Sequence, residues 1–405
     1  MTETVSKRRY VRRLSAMERY SLVINEVSRY HVDGIVEGTG HIDENVLQAA
    51  VDKAAEANPG VRVRLKGMLG FSRWVDSGKA PRVHVVNDSD WNGISQQGAQ
   101  FKAVPVLDAL RGGPVADVVL VRCLDNHTRL IFRGLHAALD GRGMLHWMMD
   151  VFCVLRGEAP EGADSTLTDM DVQERYREQV AAAQPGAAPT PCIPVVEPLV
   201  SEEPLSYIWR RVRINRNVSQ MLSKTAVFLA GWARKNTEGD IGFTIPVDYR
   251  GLRVEEKGTG NLTGYLRLTV GVEDNPRTLM QQLNQRIRAY ADCRQFPGFK
   301  IILWLPVWYM ARQLRTNVDN VLYTLNVHMP TGGIVSMGNL KREAFSFPGY
   351  EADITYGIPG AVGKLNVVFV NYPDCTVVTF AAPKAFNHQG QLDEMIQAYE
   401  AHFST

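Results

Sequence analysis

The segment His-Ala-Ala-Leu-Asp-Gly at 136–141 constrains the fold most, because a strand-like run precedes it and an apolar helical run follows it. Residues 128–135 have the composition of a buried strand, and apolar residues recur on nearly all sides of residues 144–155. A histidine at a strand end is held in place, and its ordinary pKa near neutrality suits a general base. Gly141 predicts a turn that a side chain would obstruct. The sequence therefore predicts an α/β fold with chemistry at His136.

Composition sets the broad class of protein. At 405 residues the chain is too long for one ordinary core, so two or more domains are expected. The net charge of +2, with acidic and basic residues mixed, argues against nucleic acid as the main partner. The five cysteines are scattered and the histidines lack ligand spacing, so neither a disulfide framework nor a metal site is predicted. A reducing cytoplasm is the expected location.

Two segments bear on membranes. No apolar stretch follows the basic start of the chain, so no secretory signal is expected. The most apolar run, 301–310, is interrupted by Pro306 and is shorter than the roughly 20 residues that a membrane span needs. We expect a buried helix there, with an apolar tunnel wall or a lipid contact as alternatives, and no transmembrane segment.

The order of predicted elements indicates two similar halves. We expect a first α/β subdomain over 1–180, a Pro-rich crossing over 181–204 that excludes regular structure, and a second subdomain over 205–405. A hairpin over 115–135 leads into the His136 segment. In the second half, helices are predicted at 218–235, 276–291 and 391–403, and strands at 241–247, 265–270, 365–371 and 376–381.

Six further motifs accompany the His136 segment in a fixed order along the chain. They are LSAME at 14–18, NPGVRVR at 58–64, PVDYR at 246–250, GNLTG at 260–264, VSMGNL at 335–340 and DITYGIP at 353–359. With H-x-x-x-D-G at 136–141, they resemble the chloramphenicol acetyltransferase-like superfamily. That superfamily includes condensation domains, plant-type acyltransferases and bacterial alcohol acyltransferases. The resemblance covers about residues 14–400, and the chain departs from the plant type by lacking the full D-F-G-W-G pattern.

The resemblance implies two subdomains, each a mixed β-sheet flanked by helices, with a tunnel between them and the histidine midway. It implies that His136 takes a proton from an acceptor hydroxyl or amine, which then attacks a thioester. The donor would be acyl-CoA or an acyl group on the phosphopantetheine of a carrier protein, with no bound cofactor. Leu135 stands where many members carry a second histidine that is not the base, so the departure leaves the catalytic role intact.

The resemblance also assigns supporting roles. Asp140 is expected to pair with an arginine and hold the catalytic loop, with Arg250 as first choice and Arg253 as second; orientation of His136 by Asp140 is the alternative. Breaking such a buried pair would act on folding more than on chemistry. Ser336, Asn339 and backbone N–H groups near Gly141 are candidate donors to the oxyanion.

Three readings of function remain open at this point. Ester formation on a small-molecule or lipid alcohol is the first choice, and a free-standing condensation enzyme that forms an amide from carrier-bound substrates is the second. A member of the fold that only binds a ligand, or that uses the tunnel for a non-acyl reaction, is the third.

Overall fold

The computed structural model describes residues 10–99, 104–124, 127–182, 192–198, 206–235, 237–295, 298–316, 330–360 and 364–405. Its strands are β1 (Val11–Arg13), β2 (His31–Gly40), β3 (Val63–Lys66), β4 (Arg73–Asp76), β5 (Val83–Ser89), β6 (Ala116–Cys123), β7 (His127–Leu135), β8 (Tyr207–Ile214), β9 (Gly242–Asp248), β10 (Thr263–Thr269), β11 (Gly332–Asn339), β12 (Tyr350–Ile358), β13 (Leu365–Asn371) and β14 (Thr376–Pro383). Its α-helices are α1 (Ala16–Val27), α2 (Glu44–Ala57), α3 (Gly141–Leu155), α4 (Asp169–Arg175), α5 (Arg177–Ala182), α6 (Met221–Ala233), α7 (Pro276–Arg288), α8 (Val307–Thr316) and α9 (Gln391–Ser404).

The first large sheet has the strand order β12-β2-β7-β6-β5, and helix α3 covers one of its faces. A Cβ on Gly34 of β2 would lie 2.3 Å from Sδ of Met148, and one on Gly134 of β7 would lie 2.5 Å from Cε of Met144. Side chains alternate along a strand, so the even-numbered residues of β2 and β7 face α3 and the odd-numbered residues face away. His136 follows directly after this sheet's central strand.

The second large sheet has the order β10-β9-β11-β13-β14-β8 and its own apolar core against α6, α7 and α9. Strands β9, β11 and β13 are parallel, and the remaining pairs are antiparallel. A small third sheet, β1-β4-β3, lies beside the first subdomain. Each large sheet thus buries one apolar layer under helices, as mixed α/β subdomains do.

Strand β12 does not follow the predicted division of the chain into two subdomains at residue 205. It comes from the second half of the sequence, yet it pairs antiparallel with β2 of the first sheet, with Tyr356 opposite Ile35. The hydroxyl of Tyr356 donates to the carbonyl oxygen of Gly93 at 3.0 Å, and its ring carries the Arg211 guanidinium at 4.7 Å. Tyr356 therefore stabilises the junction of the two subdomains.

Most of the predicted elements are present with boundaries shifted by a few residues. The hairpin over 115–135 is confirmed as the antiparallel pair β6–β7, and its turn at 125–126 lies outside the described residues. The second-half helices correspond to α6, α7 and α9. The second-half strands correspond to β9, β10, β13 and β14.

Two regions differ from the sequence expectation. Helix α5 extends through Ala182, so regular structure includes the first two residues of the expected crossing at 181–204. Just before it, Thr168 caps α4 with a reciprocal bond to Asp171. Of the clustered prolines, Pro185, Pro189 and Pro191 lie outside the described residues. Residues 301–310 do not form a buried helix.

Proline explains the second difference. A 3₁₀ turn ends at Trp304, Pro306 interrupts the backbone hydrogen bonds, and α8 begins at Val307. Ile301, Trp304 and Trp308 are exposed, and Trp304 packs edge-on against Phe71. Within the described residues, no helix has the length and apolar character needed to cross a membrane.

Candidate active site

The catalytic loop begins where β7 ends. The backbone N–H of His136 donates to the carbonyl oxygen of Tyr30 at 3.2 Å, so His136 continues the pairing of β7 with the chain entering β2. Nδ2 of Asn261 donates to the carbonyl oxygen of His136 at 2.8 Å. The Tyr30 ring stacks on the imidazole with centroids 4.7 Å apart and planes 6° apart. Two hydrogen bonds to the backbone of His136 and the stacked ring of Tyr30 therefore hold the imidazole in position.

The environment of His136 favours the neutral imidazole. Burial lowers the pKa of His136 below its ordinary value, and its own carbonyl oxygen, Asp140 and Asn261 only partly oppose that effect. Nδ1 is enclosed and, among the described residues, has no hydrogen-bond partner, while the side chain as a whole keeps some exposure. The exposed part of the residue thus excludes Nδ1, and the ring is neutral near pH 7.

Asp140 is a structural centre four residues further along. Its Oδ1 accepts from the N–H of Gly143 at 2.7 Å and so caps α3, and its Oδ2 accepts from the N–H of Leu262 at 2.9 Å and from Oγ1 of Thr263 at 2.9 Å. The Arg250 guanidinium donates to both oxygens, at 3.1 Å each. Burial alone would raise the pKa of Asp140, but Arg250 and the backbone donors outweigh it and lower the pKa.

Arg250 connects the loop to the second subdomain. Besides Asp140, it donates to Oδ1 of Asp248 at 2.7 Å and to the carbonyl oxygens of Gly258 and Gly260 at 2.8 and 2.6 Å. Arg253, the second choice from sequence, instead pairs with Asp292 at 2.7 Å. None of the hydrogen bonds of Asp140 within the described residues goes to the imidazole. The geometry therefore matches loop support by Asp140 and not orientation of His136.

The 14–18 and 260–264 motifs reach the same loop. Glu18 closes a capping box with Ser15 at the start of α1 and forms a fully buried ion pair with Arg12. Arg12 also donates to the carbonyl oxygen of Ala138 at 3.1 Å. Its guanidinium packs on Gly260, where a Cβ would lie 2.7 Å from Cζ. Residues from or next to these two motifs thus bond to the backbone of residues 136–138.

Gly141 does not have the backbone role expected for it. Its φ lies outside the left-handed region, and a Cβ added to it would meet nothing within 4 Å. The close approach is made by Gly143, where a Cβ would lie 2.1 Å from the carbonyl oxygen of Thr259. Helix α3 therefore needs a glycine at 143 for packing, and the space beside Gly141 is open at the helix N-terminus.

This difference predicts contrasting effects of two alanine substitutions. Gly143→Ala should lower the free energy of unfolding by about 1–3 kcal/mol, because backbone must move to admit the methyl group. Gly141→Ala should leave it unchanged or raise it by up to about 1 kcal/mol, because no contact is lost and the unfolded chain is restricted. Urea denaturation of both variants measures this, and equal losses of stability would contradict it.

The other predicted site residues lie on β11 of the second sheet. Oγ of Ser336 accepts from the N–H of Gly338 at 3.2 Å, and the side chain of Asn339 is exposed. Their strand does reach the start of α3, since Arg142 donates to the carbonyl oxygen of Met337 at 3.0 Å. No hydrogen bond within the described residues joins Ser336 or Asn339 to His136, so their role as oxyanion donors stays a prediction.

Two residues that contact His136, and one buried acid elsewhere, were not singled out from sequence. Tyr30 and Asn261 contact His136 as described above, and burial raises the pKa of Tyr30 to about 12, so its hydroxyl stays protonated. Asp169, at the start of α4, is buried with a pKa raised by burial to about 7, and it borders a small cavity of about 30 Å³ beside Tyr265. Asn261 belongs to the GNLTG motif at 260–264, so the sequence offered a reason to consider it. No pattern in the residues around Tyr30 or Asp169 indicated a role for either side chain.

Comparisons with known proteins establish the class of fold. No family model and no curated protein sequence matches the chain. Among solved structures, the chain is similar to condensation domains over nearly its whole length, so it has the fold of condensation domains, with two α/β subdomains. The resemblance and the fold class predicted from sequence are therefore confirmed.

The individual similarities are as follows. A variant of the starter condensation domain of rhizomide synthetase RzmA in complex with C8-CoA has a TM-score of 0.67 and 17% identity, covering 98% of this chain and 95% of that one. The first condensation domain of the calcium-dependent antibiotic synthetase, in complex with a substrate analogue, has a TM-score of 0.69 and 14% identity over 97% and 95%. The condensation domain of the Monacolin K polyketide synthase MokA has a TM-score of 0.64 and 12% identity over 97% and 96%.

Proposed function

We propose that the protein is an acyltransferase that moves an acyl group from a thioester to a hydroxyl or amine, with His136 as general base. The observation that carries this proposal is the neutral imidazole held at a strand end by Tyr30 and Asn261, in a residue that keeps some exposure. The fold of solved condensation domains around it adds support.

The chemistry requires few groups. Nε2 of His136 takes the proton of the acceptor O–H or N–H as the acceptor heteroatom bonds to the thioester carbonyl carbon. The tetrahedral intermediate collapses with cleavage of the C–S bond, and the thiolate takes up the proton as the ester or amide is released. Backbone N–H groups at the N-terminus of α3 carry partial positive charge, and we place the oxyanion near them, beside the open space at Gly141.

The donor is acyl-CoA in our first choice, and an acyl group on a carrier protein is the alternative. C8-CoA is bound in the RzmA structure, and that domain belongs to a synthetase. The same His136 geometry serves both donors and both acceptor types. The carrier-dependent version would make the protein a condensation enzyme acting in trans.

Release of free thiol tests the proposal without knowledge of the acceptor. The purified protein is incubated with acyl-CoAs from C2 to C16, and the thiol is followed with a chromogenic disulfide, because such enzymes leak slowly to water. Release that depends on chain length supports the CoA-dependent reaction. No release from any CoA, together with release from an acylated carrier protein, selects the carrier version, and no release from either contradicts acyl transfer.

The pKa of His136 predicts the pH dependence. Its pKa is below the ordinary 6.5, so the imidazole is deprotonated over the whole range above that value. The rate should therefore fall toward acid pH with a midpoint below 6.5, as the imidazole becomes protonated. The acid limb of kcat/KM for thiol release measures this. A limb centred above pH 7 would contradict the burial effect.

A further inference from the structure

The tip of the β3–β4 hairpin and the 3₁₀ turn that ends at Trp304 form one exposed apolar surface. At the tip, Met68 and Phe71 are 72% and 68% exposed. The ring of Trp304 joins the two segments, because it packs edge-on against Phe71 with centroids 5.8 Å apart. Trp304 is itself 56% exposed, and Ile301 in the same turn is 63% exposed. Neighbouring apolar side chains that are exposed together indicate a binding surface, whereas single ones do not.

Helix α8 follows directly and adds to this surface. Its inner side is defined by Val307, which packs against the core of the first subdomain, and by Ala311, which is buried. Residues four and seven positions apart share a face of a helix, so Trp308, Arg312 and Arg315 lie together on the outer side. Trp308 is 67% exposed. The apolar surface thus consists of Met68, Phe71, Ile301, Trp304 and Trp308.

Positive charges flank the apolar surface on both sides. Arg13, Arg73 and Lys66 are exposed and occupy directly opposed positions on β1, β4 and β3, at the base of the hairpin tip. Like charges that face each other across a sheet destabilise it. A row of three cations is therefore unfavourable in the free protein, and an anionic partner would relieve it. The full cationic rim comprises Arg13, Lys66, Arg73, Lys300, Arg312 and Arg315.

Acidic residues do not neutralise this rim. The segments 62–75 and 298–316, which carry the apolar surface, contain no aspartate or glutamate. At the end of β4, Asp76 already pairs with Arg62 at 2.8 Å. Beside α8, Glu26 accepts from an arginine of that helix through its carbonyl oxygen, while its carboxylate lies 3.4 Å from another arginine. The rim thus presents one sign of charge around an apolar centre.

We propose that this face of the protein docks on an anionic lipid bilayer, with the apolar surface entering the headgroup region and the cationic rim contacting the lipid phosphates. Tryptophan and other partly apolar side chains favour the membrane–water interface, and each lysine or arginine near an anionic leaflet adds attraction. Charges of both signs would fix the register of a protein partner, whereas cations alone match a uniformly negative surface. The proposal stands independently of the acyl transfer proposed above.

Binding to two kinds of vesicle tests the proposal. The full chain is co-sedimented with vesicles of phosphatidylcholine alone, and with vesicles in which about one third of the lipid is phosphatidylglycerol. The anionic vesicles should bind at least about tenfold more tightly, because several cations contribute about fivefold each. Their advantage should diminish as salt is added, since ions screen the exposed rim.

Two variants separate the charges from the apolar contacts. Arg73→Glu should weaken binding to the anionic vesicles by about tenfold or more, because an attraction becomes a repulsion. The new carboxylate lies between Arg13 and Lys66, so the urea midpoint should not fall, which separates lost binding from lost folding. Trp308→Ser should weaken binding about tenfold by removing an exposed apolar side chain. The matched control is Arg277→Glu, an exposed position on α7, which should bind like the wild type.

Several results would overturn the proposal. Absence of binding to both kinds of vesicle is one, and unchanged binding by either Arg73→Glu or Trp308→Ser is another. Capture of an acidic carrier protein that Arg73→Glu abolishes, without any binding of vesicles, would assign the surface to a protein partner instead. Failure of thiol release would bear only on the acyltransferase proposal, because the vesicle measurements involve no thioester.

Discussion

His136→Ala should reduce thiol release from the preferred acyl-CoA by about 10²–10⁴-fold, the range that a positioned general base contributes. The acceptor heteroatom is a weak nucleophile while it holds its proton, and within the described site His136 is the group whose neutral imidazole can remove it. The loss should appear in kcat, since the imidazole acts on the reacting atoms, with a smaller change in KM.

The control for that variant is His41→Ala. His41 is exposed, just before α2, so its loss removes an imidazole without touching the loop. It should leave thiol release within about twofold and stability within about 0.5 kcal/mol. A folded His136→Ala protein that retains full thiol release would contradict the role of His136. Equal losses in both variants would point to a general effect on the fold.

Local signals in the sequence predicted the elements that carry the loop. The apolar run of β7 and the apolar helix α3 lie on either side of the loop, and each was predicted from residues within one or two turns. The capping of α3 by Asp140 was seen only in the structure. The partner Arg250 came from resemblance, since nothing local links residues 110 positions apart. The structure places Arg250 on Asp140 through both carboxylate oxygens.

The contacts that the sequence did not predict are non-local. The stacking of Tyr30 on His136 depends on the register of β2 against β7, and the position of β12 depends on a chain crossing from the second subdomain to the first sheet. Gly141 and Gly143 look alike in sequence, because only the packed partner Thr259 distinguishes them. Helix α4, in contrast, could have been predicted from local sequence, because Thr168 and Asp171 have the spacing of a capping box. The surrounding residues, rich in Ala, Pro and acidic side chains, made that spacing easy to overlook.

The second large effect concerns stability. Asp140→Ala should lower the free energy of unfolding by about 3–5 kcal/mol, because it leaves the mostly buried Arg250 without its bidentate partner and the N–H groups of Gly143 and Leu262 without an acceptor. Asp248 still accepts from Arg250 at 2.7 Å, which favours the lower end of that range. Urea denaturation followed by tryptophan fluorescence measures the change.

The matched control is the exposed pair Arg175–Glu256, whose atoms are 3.2 Å apart and whose side chains are both nearly half exposed. Glu256→Ala should cost no more than about 1 kcal/mol, since water already screens that pair. The pKa of Asp140 is lowered by folding, so its contribution is complete above the unfolded-state pKa and is lost as pH falls through the lower folded-state pKa. The difference between wild type and Asp140→Ala should therefore shrink in strong acid. A variant with wild-type stability and no thiol release would instead assign Asp140 to the chemistry of His136.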